Sequence, residues 1–82
     1  MIVWYLDQSD PSQQIHWNVN VGNYRIHNSA RSTISIEIGR STGGTYTLKV
    51  GETVDVGDKE LSVWIHSPKE TDRAFGTADR LS

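Results

Sequence analysis

The stretch Thr33-Ile34-Ser35-Ile36-Glu37-Ile38 carries an apolar side chain on every second residue. Successive side chains of a β-strand point to opposite faces, so this period of two predicts a strand with one apolar and one polar face. The same alternation returns over residues 15–21, 46–50 and 61–65. Repeated short strands of this kind predict an all-β fold, a small antiparallel β-sandwich or barrel of about seven short strands.

The composition agrees with strands and with a single domain. Seven Ile, seven Val and seven Thr stand against four Leu and three Ala, a balance that favours strands over helices. Eighty-two residues are enough for one domain only. The chain contains no cysteine, so no disulfide stabilises it.

The last part of the chain differs in character from the rest. Ser67-Pro68-Lys69-Glu70 has the pattern of a capping box with proline at the first helical position. This pattern predicts either a short helix over residues 68–75 or a loosely ordered tail. The sequence therefore divides into a β-sandwich domain over residues 1–67 and a C-terminal segment, 68–82, that packs on it or is loosely ordered.

A tight turn is indicated at Gly22-Asn23, a pair typical of two-residue β-hairpins. A hairpin closed there pairs Val19 with Ile26 on one face and Asn18 with His27 on the other. This register groups the apolar side chains together and the polar ones together. We therefore expect a β-hairpin over residues 14–28.

The polar face of this arrangement is the predicted binding surface. Leu61, Val63 and Ile65 occupy the inner face of their strand, which directs Trp64 outward. An exposed indole among amide, imidazole and guanidinium groups suits a small polar ligand such as a carbohydrate. The first hypothesis is a non-enzymatic binding module with a ligand site formed by Trp64, His66, His27, Arg25, Asn18 and Asn20.

The alternative hypothesis is a protein–protein interaction module. Residues 2–6 are apolar on both faces, as in a strand that is covered on both sides. The predicted interface residues are Val3, Tyr5 and Trp4, with a homo-oligomer as one outcome. An inhibitor, an immunity-type partner or a subunit of a larger phage or secretion assembly fits this description.

Other chemistry has less support in the sequence. His16, His27 and His66 share the outward parity, which raises the question of a metal site, but no local metal-ligand motif accompanies them. No catalytic signature such as G-x-S-x-G or H-E-x-x-H is present. We therefore expect no enzyme activity, no cofactor and no bound metal.

The net charge and the lengths of the apolar segments limit the possible partners and the cellular compartment of the protein. A formal net charge of −2 makes nucleic acid an unlikely partner, because nonspecific affinity for it comes from phosphate neutralisation. The sequence has no apolar run of membrane-spanning length and no signal-peptide pattern. Without cysteine, and if the chain is complete, the cytoplasm is the favoured compartment.

Overall fold

The computed structural model describes residues 1–9, 15–18, 23–41, 43–57 and 60–81, and at 15–18 and 60 it describes the backbone alone. Their regular structure consists of eight strands: β1 (Ile2–Asp7), β2 (Ile15–Asn18), β3 (Tyr24–Asn28), β4 (Ile36–Arg40), β5 (Thr45–Leu48), β6 (Thr53–Val56), β7 (Glu60–Trp64) and β8 (Arg73–Arg80). Sheet I has the order β1-β8-β3-β6 and sheet II the order β2-β7-β4-β5, with all described pairings antiparallel. The predicted all-β antiparallel sandwich is confirmed.

The connections alternate between the two sheets. Among the described strands, β4 and β5 are the one pair that is consecutive in the chain and also hydrogen-bonded. Every other consecutive pair is divided between sheets I and II, which is the arrangement of an eight-stranded jelly roll. Non-local pairing of this kind makes each strand depend on partners that are distant in sequence.

The core lies between the inner faces of the two sheets. In β4 the inner residues are Ile36 and Ile38, and in β7 they are Leu61 and Val63, all fully buried as their alternation predicts. Sheet I and β5 complete one continuous cluster with Trp4, Leu6, Ile26, Leu48, Val56, Ala74 and Ala78. Both sheets therefore present their outer faces in opposite directions.

The predicted hairpin over residues 14–28 is wrong. β2 lies in sheet II beside β7, whereas β3 lies in sheet I, and residues 19–22 lie outside the described part of the chain. Both edges of β3 are occupied, because Ile26 pairs with Val54 on β6 and with Ala78 on β8. The turn signal at Gly22-Asn23 therefore predicted that β3 pairs with the preceding strand, but both edges of β3 are already paired with other strands.

The helix predicted over residues 68–75 and the loosely ordered tail are also wrong. Ser67 Oγ accepts a hydrogen bond from the Lys69 N–H (3.1 Å), and the Asp72 N–H donates to the Lys69 carbonyl (3.2 Å). The capping pattern thus closes a single turn, after which β8 begins at Arg73. Burial of alternate small residues along β8 favours the extended chain, and this strand lies between β1 and β3.

Candidate functional site

The predicted ligand residues lie on two opposite surfaces. Arg25 and His27 are on the outer face of β3 in sheet I, on either side of the buried Ile26. Trp64 ends β7 in sheet II, and the exposed His66 follows it. Asn18 belongs to β2 of sheet II. Its Cα partner is Glu60, and Asn20 lies outside the described residues. The core separates the two groups, so the structure does not bring the six residues together.

Arg25 is engaged with carboxylates of its own sheet. Its Nε lies 2.8 Å from Asp55 Oδ1 and its Nη2 lies 3.0 Å from Asp55 Oδ2, in a two-point contact. These hydrogen bonds from Arg25 hold the pKa of the Asp55 carboxyl below its ordinary value and raise the pKa of Arg25. Asp79 on β8 also pairs with Arg25 in register. An anionic ligand that approaches this edge of the guanidinium therefore competes with the Asp55 carboxylate.

His27 is likewise part of a cross-strand contact. Its Nδ1 lies 2.8 Å from Thr53 Oγ1 on β6, and the ring is half-buried. The shared outward parity of His16, His27 and His66 does not bring them together, since His16 is on β2 of sheet II and His27 is on β3 of sheet I. Among the residues with described side chains, no group of three or more His, Asp or Glu is placed to hold a metal ion.

The outer corner of sheet I at β1 carries an exposed apolar surface. Val3 is 73% exposed and Tyr5 is 48% exposed, and the half-buried Phe75 pairs with Tyr5 across the two strands. We call Val3, Tyr5 and Phe75 the β1 patch. Trp4 is not part of it: it is 2% exposed and its Nε1 donates to the Thr77 carbonyl at 3.0 Å. Its predicted place in an interface is wrong, because the Trp4 side chain, like that of Leu6, is buried in the core.

The backbone of β1 is open on its outer side in the described structure. The Gln8 N–H donates to the Asp72 carbonyl at 2.9 Å, which fixes the hydrogen-bonding parity between β1 and β8. Even-numbered residues of β1 therefore direct their N–H and C=O groups to β8, while Val3 and Tyr5 direct theirs away from it. In the part of the chain that the structure describes, β1 is the end of sheet I and no strand lies beyond it.

Trp64 lies on the outer face of sheet II and leans over β4. A Cβ on Gly39 would be 2.6 Å from both Cη2 and Cζ3 of the indole, so the glycine provides the space the ring occupies. The His66 ring meets the indole edge-on, with centroids 6.0 Å apart and planes at 89°. The outward direction of Trp64 matches its prediction, and its support by Gly39 depends on a strand pairing that the sequence did not reveal.

Asn28 is a buried bridging residue that the sequence analysis did not identify. It is fully buried, and its Nδ2 donates to the Ile34 carbonyl (3.2 Å) and to the Leu48 carbonyl (3.1 Å). Its side chain thereby ties the end of β3 to the segment before β4 and to the end of β5. The available signal was its parity, because Asn28 follows Ile26 on the inner face of the strand.

Comparisons of the chain with family models, with curated proteins and with solved structures gave no match. The described residues include no helix long and apolar enough to cross a membrane.

Proposed function

We propose that this protein is a protein–protein interaction module that associates through the open edge of β1, and that its partner strand is β1 of a second copy. The observation that carries the proposal is the coincidence of two features on one strand. Val3 and Tyr5 expose apolar side chains, and the same two residues direct their backbone groups to the open edge.

The side chains of β1 favour covering this edge. Natural β-proteins protect edge strands with Lys, Pro, bulges or short length. Residues 2–6 contain no charged residue and no proline, and β1 has six residues where the edge strands β2, β5 and β6 have four each. Removing Val3 and Tyr5 from water upon association is favourable, because apolar surface is buried.

Self-pairing of β1 has a register that satisfies both copies equally. A two-fold axis at Trp4 sets Val3 opposite Tyr5 of the second copy, and the free N–H and C=O groups of these residues then bond to one another. On the outer face this places exposed apolar side chains side by side. Asp7 comes opposite Met1 of the second copy, so no like charges meet along the strand.

The size of the edge limits the strength of the dimer. The edge is six residues long at about 3.3 Å each, and the sheet occupies a layer that packs about 10 Å from the next one. A contact of this size is far below the roughly 1,200 Å² typical of stable interfaces. The proposal therefore requires a reversible dimer whose population rises with protein concentration.

Sedimentation velocity over a concentration series tests the proposal. We expect reversible dimerisation of the wild type and a monomer for Val3→Lys, which places a charge at the centre of the edge. Val3→Pro provides a second test without charge. It removes an N–H that faces the open edge, where proline is tolerated in a strand.

Thr47→Lys on the exposed outer face of β5 is the matched control and should dimerise like the wild type. A wild type that stays monomeric up to millimolar concentration overturns self-association. Dimers that persist in both Val3 variants overturn the assignment of the edge.

A further inference from the structure

We infer that the outer face of sheet II is a binding site for neutral saccharide chains, centred on Trp64. This inference uses a different sheet and different residues from the β1 proposal and does not depend on it. It keeps two of the six ligand residues expected from the sequence, Trp64 and His66, and places them among new neighbours.

The indole of Trp64 is held in place before any ligand arrives. Inward burial of Leu61 and Val63 fixes the outward direction of Trp64, and Gly39 lets the ring approach the backbone of β4. The His66 ring stands perpendicular to the indole, with the ring centroids 6.0 Å apart, and restrains it further. A ring fixed in this way loses little conformational entropy when a ligand stacks on it.

Oxygen-bearing side chains surround this ring on the same face. Glu37 on β4 is the Cα partner of Trp64, and Thr47 on β5 is the partner of Glu37. Ser62 on β7 and Thr45 on β5 are the two partners of Gly39. Directly paired residues of antiparallel strands share a face, so the carboxylate and hydroxyl groups lie around the aromatic surface.

This combination matches the chemistry of a sugar ring. The C–H face of a sugar packs on an aromatic ring, while its hydroxyl groups donate to carboxylates and exchange hydrogen bonds with Ser and Thr. A half-buried indole with carboxylate and hydroxyl neighbours offers both kinds of contact. A protein surface with hydroxyl groups alone would form hydrogen bonds with a sugar but would not pack against its C–H face.

The charge of the outer face of sheet II indicates which class of saccharide it can bind. The outward strand positions with described side chains are Ser62, Trp64, Glu37, Gly39, Thr45 and Thr47, and the one charged group among them is the Glu37 carboxylate. A sulfated or acidic glycan would meet this negative charge, and none of these described outward positions carries a cation to offset it. The site therefore fits a neutral glycan, and the open sheet face fits an extended chain of sugar units.

Isothermal titration with cellohexaose, xylohexaose, chitohexaose and maltohexaose, and with a heparin hexasaccharide for charge, tests the inference. We expect one or more of the neutral chains to bind and the sulfated chain to bind at least tenfold more weakly. Trp64→Ala should lower the affinity at least tenfold, whereas Trp64→Phe, which keeps an aromatic ring, should retain most of it.

Gly39→Ala displaces the indole without altering it, and we expect a several-fold loss, which separates ring position from a folding defect in Trp64→Ala. Tyr5→Ala removes an exposed aromatic ring from sheet I and is the matched control with unchanged affinity. Val3→Lys should also bind normally, which keeps this result distinct from dimerisation. No binding of any neutral chain, equal binding by wild type and Trp64→Ala, or preference for the heparin fragment would each overturn the inference.

Discussion

Trp4 and Gly76 face each other across the inner side of sheet I, and the indole occupies space that a side chain at position 76 would need. A Cβ on Gly76 would lie 2.8 Å from Trp4 Cζ2 and 1.8 Å from the His27 carbonyl oxygen. The Trp4 Nε1 donates to the Thr77 carbonyl, one residue further along β8. The largest side chain of the described core thus depends on the smallest residue of the neighbouring strand.

Gly76→Ala is expected to destabilise the fold strongly. Overpacking a core costs about 1–3 kcal/mol, and the cost is at the upper end or beyond here because the clash involves a backbone carbonyl that cannot rotate away. We expect the free energy of unfolding, measured by urea denaturation, to fall by about 3 kcal/mol or more. Gly39→Ala, which meets only the outward Trp64 ring, should cost clearly less. Equal losses in the two variants would contradict this account.

Asn28→Asp is expected to destabilise the protein although the two side chains have nearly the same shape. A carboxylate cannot donate to the Ile34 and Leu48 carbonyls, and it places a charge where the side chain is fully buried. A buried group left unsatisfied costs about 1–3 kcal/mol, and a charged one costs more. Urea denaturation at pH 7 should therefore show a loss of about 3 kcal/mol or more. A loss below about 1 kcal/mol would rule out the bridging role of this amide.

The segment after β3 holds β8 through two hydroxyl groups. Ser32 Oγ accepts from the Phe75 N–H (3.0 Å) and donates to the Phe75 carbonyl (3.1 Å). Thr33 Oγ1 makes the same two contacts with Arg73, at 2.8 Å and 3.1 Å. At the start of β8, these hydroxyls therefore bond to backbone N–H and C=O groups in the way that a neighbouring strand would.

Ser32→Ala should speed amide hydrogen exchange at Phe75, because its N–H loses the acceptor. The free energy of unfolding should fall by about 1–3 kcal/mol, since Ser32 is buried. Thr33→Val should speed exchange at Arg73, and Thr33→Ser, which keeps the hydroxyl, should not. Unchanged exchange at both amides, measured by NMR, would show that the hydroxyl contacts do not protect β8.

Asp55→Asn is expected to change the dependence of stability on pH. The Asp55 pKa is lower in the folded protein than its ordinary value of 3.8, because Arg25 bonds the ionised form. Such a group stabilises the fold above its unfolded pKa, and the contribution is lost as pH falls through the folded pKa. We therefore expect a small excess in wild-type melting temperature at pH 7 that begins to fall near pH 3.8 and disappears once the pH lies below the lower folded-state pKa of Asp55. An excess that persists or grows in acid would contradict this assignment.

The candidate surfaces were predictable in part. Parity within one strand placed Trp64 outward, because that information is local. It failed for Trp4, since residues 2–6 are apolar on both faces and offer no contrast. Grouping Arg25 and His27 with Trp64 required the hairpin at Gly22-Asn23, and that pairing does not form.

The sequence by itself determined the fold class and the inner and outer faces of β4 and β7, because alternation of apolar and polar residues is written along the chain. It did not reveal β8, whose inner residues are Ala74, Gly76 and Ala78, too small to read as a hydrophobic stripe. The tertiary structure alone decided that this small-residue strand lies beside Trp4 and that Gly39 supports Trp64. The physical reason is that strand pairing and packing match residues far apart in the chain, and the fit of a large side chain to a small one exists only after they meet.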